Sequence, residues 1–308
     1  MSEERMRSDV DVGGGAGGAG GGGGEVLDAE RELVARAVSG DKDALEDVVR
    51  RVQDPLYRLA LRMTWRPADA EDAAQEILIR VVTGLATWRA EARLLTWAYR
   101  IGVNHLLNLK RRTSQEAAGL SLDAFGEGLV DGLAPVAYAG PDAELLAREV
   151  RLTCTQAMLQ CLERGERVAY VLGEVFELPS PEAAWVLDVS PAAYRKRLER
   201  ARTRLRTFMD ATCGLANPAA PCRCARRVAP AVAAGRVDPR RPALASHPVS
   251  PGGRDLARAS AQMGRLHDAA TVLRSHPDYA APRARSEVVL GLLGSGRFPL
   301  LSDEHSDQ

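Results

Sequence analysis

From residue 28 to residue 112, apolar residues recur with the spacing of amphipathic helices. Leu33, Val34, Ala37 and Val38 mark a short first helix that ends near Gly40. Asp41 is placed to cap a second, whose stripe runs Leu45, Val48, Val49, Val52, Leu56, Leu59 and Met63, with a kink expected at Pro55. Asp69 is expected to cap a third, carrying Ala70, Ala73, Ala74, Ile77, Leu78, Val81, Val82 and Leu85 at 3.6-residue spacing. A fourth runs over 94–112 and completes a compact four-helix unit. Periodicity is lost over 113–141, where Gly119, Gly126, Gly128, Gly132, Pro135 and Gly140 predict a linker. Helices resume over 142–162, 166–176, 181–187 and 191–209, giving a smaller second unit at 142–210. Residues 211–253 are rich in Cys, Pro and Arg and read as weakly structured. Stretches 254–273 and 283–293 predict a helical hairpin within the 254–308 tail. Residues 1–27 end in the glycine tract 13–24, a disordered leader. That tract matches GxGxxG, but no strand precedes it, so a nucleotide-binding reading fails. The fold class is therefore all-α: two small helical domains joined by a flexible linker, with a partly disordered C-terminal extension.

Composition supports helices, since the chain is 45% hydrophobic but only 5% aromatic. Lys plus Arg equals Asp plus Glu at 41 each, so net charge does not point to nucleic acid. Charges are nevertheless segregated along the chain, and a DNA-binding face needs only a local excess. No stretch has the length of a transmembrane helix, and the N-terminus lacks an apolar signal core, so no membrane insertion is expected. A cytoplasmic location with reduced thiols follows, and five cysteines in 308 residues make no disulfide framework.

The strongest local pattern lies between residues 180 and 206. Residues 181–187 read as a short helix, Asp188, Val189 and Ser190 as a turn, and Pro191 onward as a second helix. Ser190 is a good N-cap, and Pro191 suits the first helical position, where its missing N–H costs nothing. This is a helix-turn-helix plan. The second helix carries Arg195, Lys196, Arg197, Arg200, Arg202, Arg204 and Arg206 against the single acid Glu199. Leu198, Ala201 and Leu205 keep its back apolar, as a recognition helix requires. A solvated basic surface helix is the bland alternative, and the preceding turn and short helix argue against it.

The upstream unit supplies the second pattern. Its third helix opens on Asp69, Glu71, Asp72 and Glu76 around Gln75, although acids in a first turn also suit the helix dipole. The fourth reverses the sign, with Arg93, Arg100, Lys110, Arg111 and Arg112 and the nearby aromatics Trp88, Trp97 and Tyr99. Cations interleaved with aromatics suit unpaired bases, which stack and carry phosphate. Trp97 fits the core better, and Trp88 fits either role.

These residues carry a family resemblance. Asp69-Ala70-Glu71-Asp72-Ala73-Ala74-Gln75-Glu76-Ile77-Leu78 resembles the polymerase-binding signature of sigma region 2. Thr96-Trp97-Ala98-Tyr99-Arg100-Ile101-Gly102-Val103-Asn104 resembles the segment that follows it, and residues 161–202 are similar to sigma region 4. With no large central region, the layout resembles the extracytoplasmic-function (ECF) group over 28–209. The resemblance implies a non-enzymatic subunit that binds core RNA polymerase and promoter DNA, with an anti-sigma factor as a further candidate partner. It implies that Asp69, Asp72, Gln75 and Glu76 contact the polymerase. Trp88, Arg93, Thr96, Arg100, Asn104, Lys110, Arg111 and Arg112 would face the −10 element, and Arg195, Lys196, Arg197 and Arg200 the −35 element. Three departures stand out. Asp188 takes a turn position usually held by Gly, which Asp tolerates. Gly165 and Pro179 interrupt helices, and Tyr194 replaces a small aliphatic, which implies an unusual −35 preference.

Cys154 and Cys161 fall on one helix and read as core. Cys213, Cys222 and Cys224 sit in a Pro-rich loop beside Arg223, Arg226 and Arg227, and could bind zinc or sense oxidation. Their spacing matches no standard zinc module, and His247 is the nearest, distant candidate for a fourth ligand. His105 reads as structural. No Walker loop, His-rich metal signature or nucleophile elbow occurs, so no catalytic residue and no firm cofactor is expected. A free-standing helix-turn-helix regulator sensing metal or thiol state is the alternative. A pure interaction protein acting through the C-terminal hairpin is a third class.

Overall fold

The computed structural model describes residues 21–109, 121–255 and 269–294, and among these every regular element is a helix. The first unit is α1 (Gly21–Val38), α2 (Lys42–Thr64), α3 (Pro67–Thr83) and α4 (Leu94–Asn108). Asp41 caps α2 as expected, its carboxylate accepting the Ala44 amide at 3.0 Å. That amide and the Arg36 guanidinium hold the Asp41 carboxyl below its usual range. Pro55 is carried inside α2 without ending it. α3 starts two residues before the expected cap, because Pro67 is pre-set for the first turn; Asp69 is a first-turn acid and Arg66 makes no side-chain cap. α4 is capped from outside. Glu30 on α1 is 5% exposed, and its carboxylate accepts the Leu94 amide at 2.9 Å. Gly102 lets α4 seat closely, since a Cβ there would meet Leu59, Leu56 and Ile77 at 3.2–3.4 Å. The glycine tract departs from expectation: α1 extends back to Gly21, although glycine opposes helix, and nothing within 4 Å of Gly24 explains it.

The second unit holds α6 (Ala143–Gln160), α7 (Arg164–Tyr170), which continues into a wide turn over Val171–Val175, α8 (Ser180–Val186) and α9 (Pro191–Thr212). The stretch expected to be an aperiodic linker contains a further helix, α5 (Leu122–Asp131), capped by Ser121. Tertiary contact overrides its glycines: Gly126 lies where a Cβ would press on Phe208 and Thr212 at 3.1–3.3 Å. Within 211–253, read by sequence as weakly structured, the structure holds one further helix amid turns. α10 (Cys224–Ala233) packs on α6 through Leu146, Val150, Val228 and Ala231. Arg227 donates to the carbonyls of Gly132 (2.6 Å), Leu129 (3.3 Å) and Gly128 (3.5 Å), and Arg226 to Ala134 (2.6 Å).

Beyond α10 the chain crosses both units as a strap. Glu149 accepts the amides of Leu244 and Ala245, and Asp54 accepts from Ser250 and the Ala281 amide. Arg62 on α2 donates to the Leu273 carbonyl at 3.0 Å. The described part of the expected hairpin is the short α11 (Ala269–Arg274) and α12 (Arg283–Gly294); most of its first arm lies outside the described residues. α11 lies against α9 and the wide turn, and α12 lies against α3 and α2. One buried core therefore runs from Leu33 to Val289 through both units. Arg167 pins the junction. It is fully buried and donates to the carbonyls of Met63, Leu159, Gln160 and Leu162 and to the Gln160 side chain, at 2.7–3.1 Å. Among the described residues no helix is long and apolar enough to cross a membrane.

Candidate nucleic-acid interface

The helix-turn-helix forms as its local chemistry dictates. Ser190 Oγ accepts the Ala193 amide at 3.2 Å and Pro191 opens α9. Asp188 sits at φ 54°, the left-handed geometry expected of the residue in glycine's place. Leu198, Ala201 and Leu205 are buried on the back of α9, and Arg195, Lys196 and Arg200 are exposed on its front, with Arg197 half-buried. Three cations of α9, Arg200 among them, are also held by carboxylates from α7 and the wide turn. Glu166 on α7 is 6% exposed and accepts Arg200 (3.0 Å) and Arg204 (2.8 Å), and Glu174 accepts Arg202. These pairs orient the side chains along one face, where they remain 41–52% exposed. Tyr194 is fully buried, with its hydroxyl 3.4 Å from the Ala169 carbonyl, so here it fills the core behind α9.

The α4 face is partly covered. Thr96, 3% exposed, donates to Glu182 of α8. Arg100 donates to the Trp185 carbonyl (3.1 Å) and to Asp188 (2.8 Å), its guanidinium 4.7 Å from the Trp185 ring centre. Arg93 remains exposed and pairs with Glu30 at 3.4 Å, and Asn104 is exposed. Trp88, which fitted either role by sequence, is 8% exposed here, and its indole N–H is satisfied by the Ala92 carbonyl at 3.1 Å, so in this arrangement it offers no stacking surface. Trp97 packs on the core edge, as its spacing predicts. His105 is half-buried; burial and the nearby Arg80 lower its pKa. Lys110, Arg111 and Arg112 lie outside the described residues. On α3, Asp72 and Glu76 are exposed, and Asp69 and Gln75 are half-buried. Gln75 shares a pocket with Ala281 and Pro282, where the strap arrives. Glu182 and Trp185 were not legible as partners of α4: no local pattern links positions 86 residues apart.

Comparison with known proteins decides the family. The Sigma-70 region 2 family matches residues 48–116, and the Sigma-70 region 4 family matches 152–205. The ECF RNA polymerase sigma factor SigM of Mycobacterium tuberculosis is 30% identical over 178 residues, covering 58% of this chain and 83% of SigM.

The chain belongs to the ECF sigma-factor family.

The RNA polymerase sigma factor CnrH of Cupriavidus metallidurans is 28% identical over 184 residues, 60% of this chain and 96% of CnrH. SigW of Bacillus subtilis is 27% identical over 183 residues, 57% of this chain and 94% of SigW. A solved structure of CnrH in complex with the cytosolic domain of CnrY covers 59% of this chain and 98% of that chain, with a TM-score of 0.43 and 26% identity. The chain is thus a DNA-binding transcription initiation factor that directs RNA polymerase to promoters. It carries α3 and α4 in region 2 and the helix-turn-helix of α8 and α9 in region 4.

Proposed function

We propose that this sigma factor engages core polymerase through Asp69, Asp72, Gln75 and Glu76 of α3, melts and holds the −10 element on the α4 face, and reads the −35 element with α9. Region 2 contributes Arg93, Thr96, Arg100, Asn104 and the basic run from Lys110 to Arg112, with Trp88 joining only after rearrangement. Region 4 contributes Arg195, Lys196, Arg197 and Arg200. Melting here is binding work: unpaired bases are captured with binding energy, no covalent step belongs to this chain, and the work is done in the cytoplasm.

One observation carries the further reading that the arrangement described is the closed, polymerase-free state. The −10 and −35 elements lie about 25 base pairs apart, or roughly 85 Å at ~3.4 Å per base pair. Here α8 touches α4 directly, with Arg100 bonded to Asp188 of the helix-turn-helix. Two reading surfaces in contact do not span that distance. Transcription therefore requires region 4 to leave α4, and Thr96 and Arg100 exchange Glu182, Asp188 and Trp185 for nucleic acid.

The test of the polymerase surface is co-purification of the full chain with core enzyme. Asp72→Lys with Glu76→Lys is expected to abolish association while the far-ultraviolet circular dichroism stays unchanged. Undiminished association would refute the assignment.

A further inference from the structure

Four of the five cysteines come together. Cys154 on α6 faces the segment that carries Cys213, Cys222 and Cys224, and all four residues line one small cavity of about 20 Å³ with Arg151, Met158 and Phe208. The backbone holds the convergence in place. Cys213 and Cys222 are paired across a single parallel bridge, the Gly214 amide donating to the Cys222 carbonyl at 3.1 Å and the Cys222 amide to the Thr212 carbonyl at 3.0 Å. Cys224 opens α10, which is seated against α6. His247, the distant candidate by sequence, is elsewhere. Its Nε2 is 2.6 Å from the Tyr57 hydroxyl and its ring stacks on Tyr57. The fourth thiol comes instead from Cys154, 59 residues before Cys213 and expected to be plain core.

We infer that Cys154, Cys213, Cys222 and Cys224 form a closed four-thiolate site for a structural zinc ion, which clasps the end of the recognition helix and α10 onto α6. Four sulfur ligands with no open position are the donor set of a structural zinc rather than a catalytic one. As the side chains stand, no three His, Cys, Asp or Glu groups are gathered at metal-binding geometry among the described residues. Binding therefore asks each cysteine to turn about its single side-chain torsion towards the shared cavity. The surrounding charge suits the result. Zinc with four thiolates carries a net charge of −2, and Arg151, Arg223 and Arg227 each favour thiolate at one or more of these sulfurs. Arg151 also hydrogen-bonds Cys224 and has a buried Nε with no partner, the type of donor that supports a ligating sulfur from outside. Without metal, burial and neighbouring thiols push Cys222 up to about 12, and burial also raises Cys154 and Cys224. Thiols bind zinc as thiolates, so zinc binding releases protons and weakens as pH falls.

The experiment measures metal in the full chain purified under reducing conditions. Elemental analysis should give about one zinc per chain in the wild type and in Cys161→Ser, a thiol on the same helix region outside the cavity. Cys154→Ser and Cys224→Ser should lose it. Cobalt(II) added to the metal-stripped wild type keeps the proposal testable if a variant fails to fold: its thiolate charge-transfer intensity should correspond to four sulfurs in tetrahedral geometry. Absence of zinc and of cobalt–thiolate bands would overturn the site, as would zinc retained in Cys154→Ser. An intact mass two daltons low, signalling a disulfide in place of metal, would overturn it equally.

Discussion

Replacing Glu182 by Ala and Asp188 by Asn together should open the closed state without harming either unit. Asn keeps the left-handed tolerance needed at φ 54°, and Ala suits the short α8. The partly buried Thr96 hydroxyl loses a carboxylate acceptor, worth about 1.5 kcal/mol for a charge-assisted bond. The Arg100–Asp188 pair, with the Asp188 side chain 76% exposed, contributes only about 0.5 kcal/mol. The sum, roughly 2 kcal/mol, shifts the closed-to-open equilibrium by about 30-fold. If core enzyme takes only the open form, its apparent affinity rises by up to that factor, because the tax of the closed population is removed. The assay is titration of fluorescently labelled full chain with core polymerase, followed by anisotropy. A dissociation constant that stays level or rises while circular dichroism is unchanged would refute the reasoning, since it would show that these contacts do not oppose polymerase binding.

Three other outcomes follow from the geometry. Arg167→Leu leaves several buried carbonyls without a donor and should cost about 3–5 kcal/mol, read as a large fall in melting temperature by calorimetry; a fall of only a degree or two would contradict the junction's role. His276 is buried, and burial with Arg62 and Arg254 depresses its pKa far below 6.5. The unfolded chain takes up that proton below about pH 6.5 while the folded chain resists it, so stability should fall as pH drops, by up to about 1.4 kcal/mol per unit. Denaturant melts at pH 7 and 5.5 should show this, and His276→Gln should flatten it. Arg195→Ala and Lys196→Ala should each weaken duplex binding by the full chain with core enzyme and lower the slope of log affinity against log salt by about one, measured by filter binding. An unchanged slope would remove them from the phosphate contacts.

What the sequence discloses is what local chemistry decides. Ser190, Pro191 and Asp188 specify a cap, a first turn and a left-handed corner among adjacent residues, and all three adopt the expected roles. The stripe of α2 and the cap at Asp41 are legible for the same reason. α5 and α10 escape a periodicity reading because distant partners stabilise them: Phe208 packs over Gly126, and Arg227 reaches back to the carbonyls of Gly128, Leu129 and Gly132. Trp88 and Tyr194 show a second limit. An aromatic beside a basic helix can face bases or core, and only the direction of its side chain decides. The cysteines show a third, since Cys154 belongs with Cys213, Cys222 and Cys224 through packing of α6 against α10 and not through any sequence spacing.

The central claim, that this chain directs polymerase to promoters, meets its most direct test in run-off transcription. Core RNA polymerase would be combined with the purified full chain on fragments of the source genome. The account predicts discrete transcripts that require the chain, start at a limited set of sites and vanish with Asp72→Lys and Glu76→Lys. No chain-dependent transcripts, together with no association with core enzyme, would contradict it.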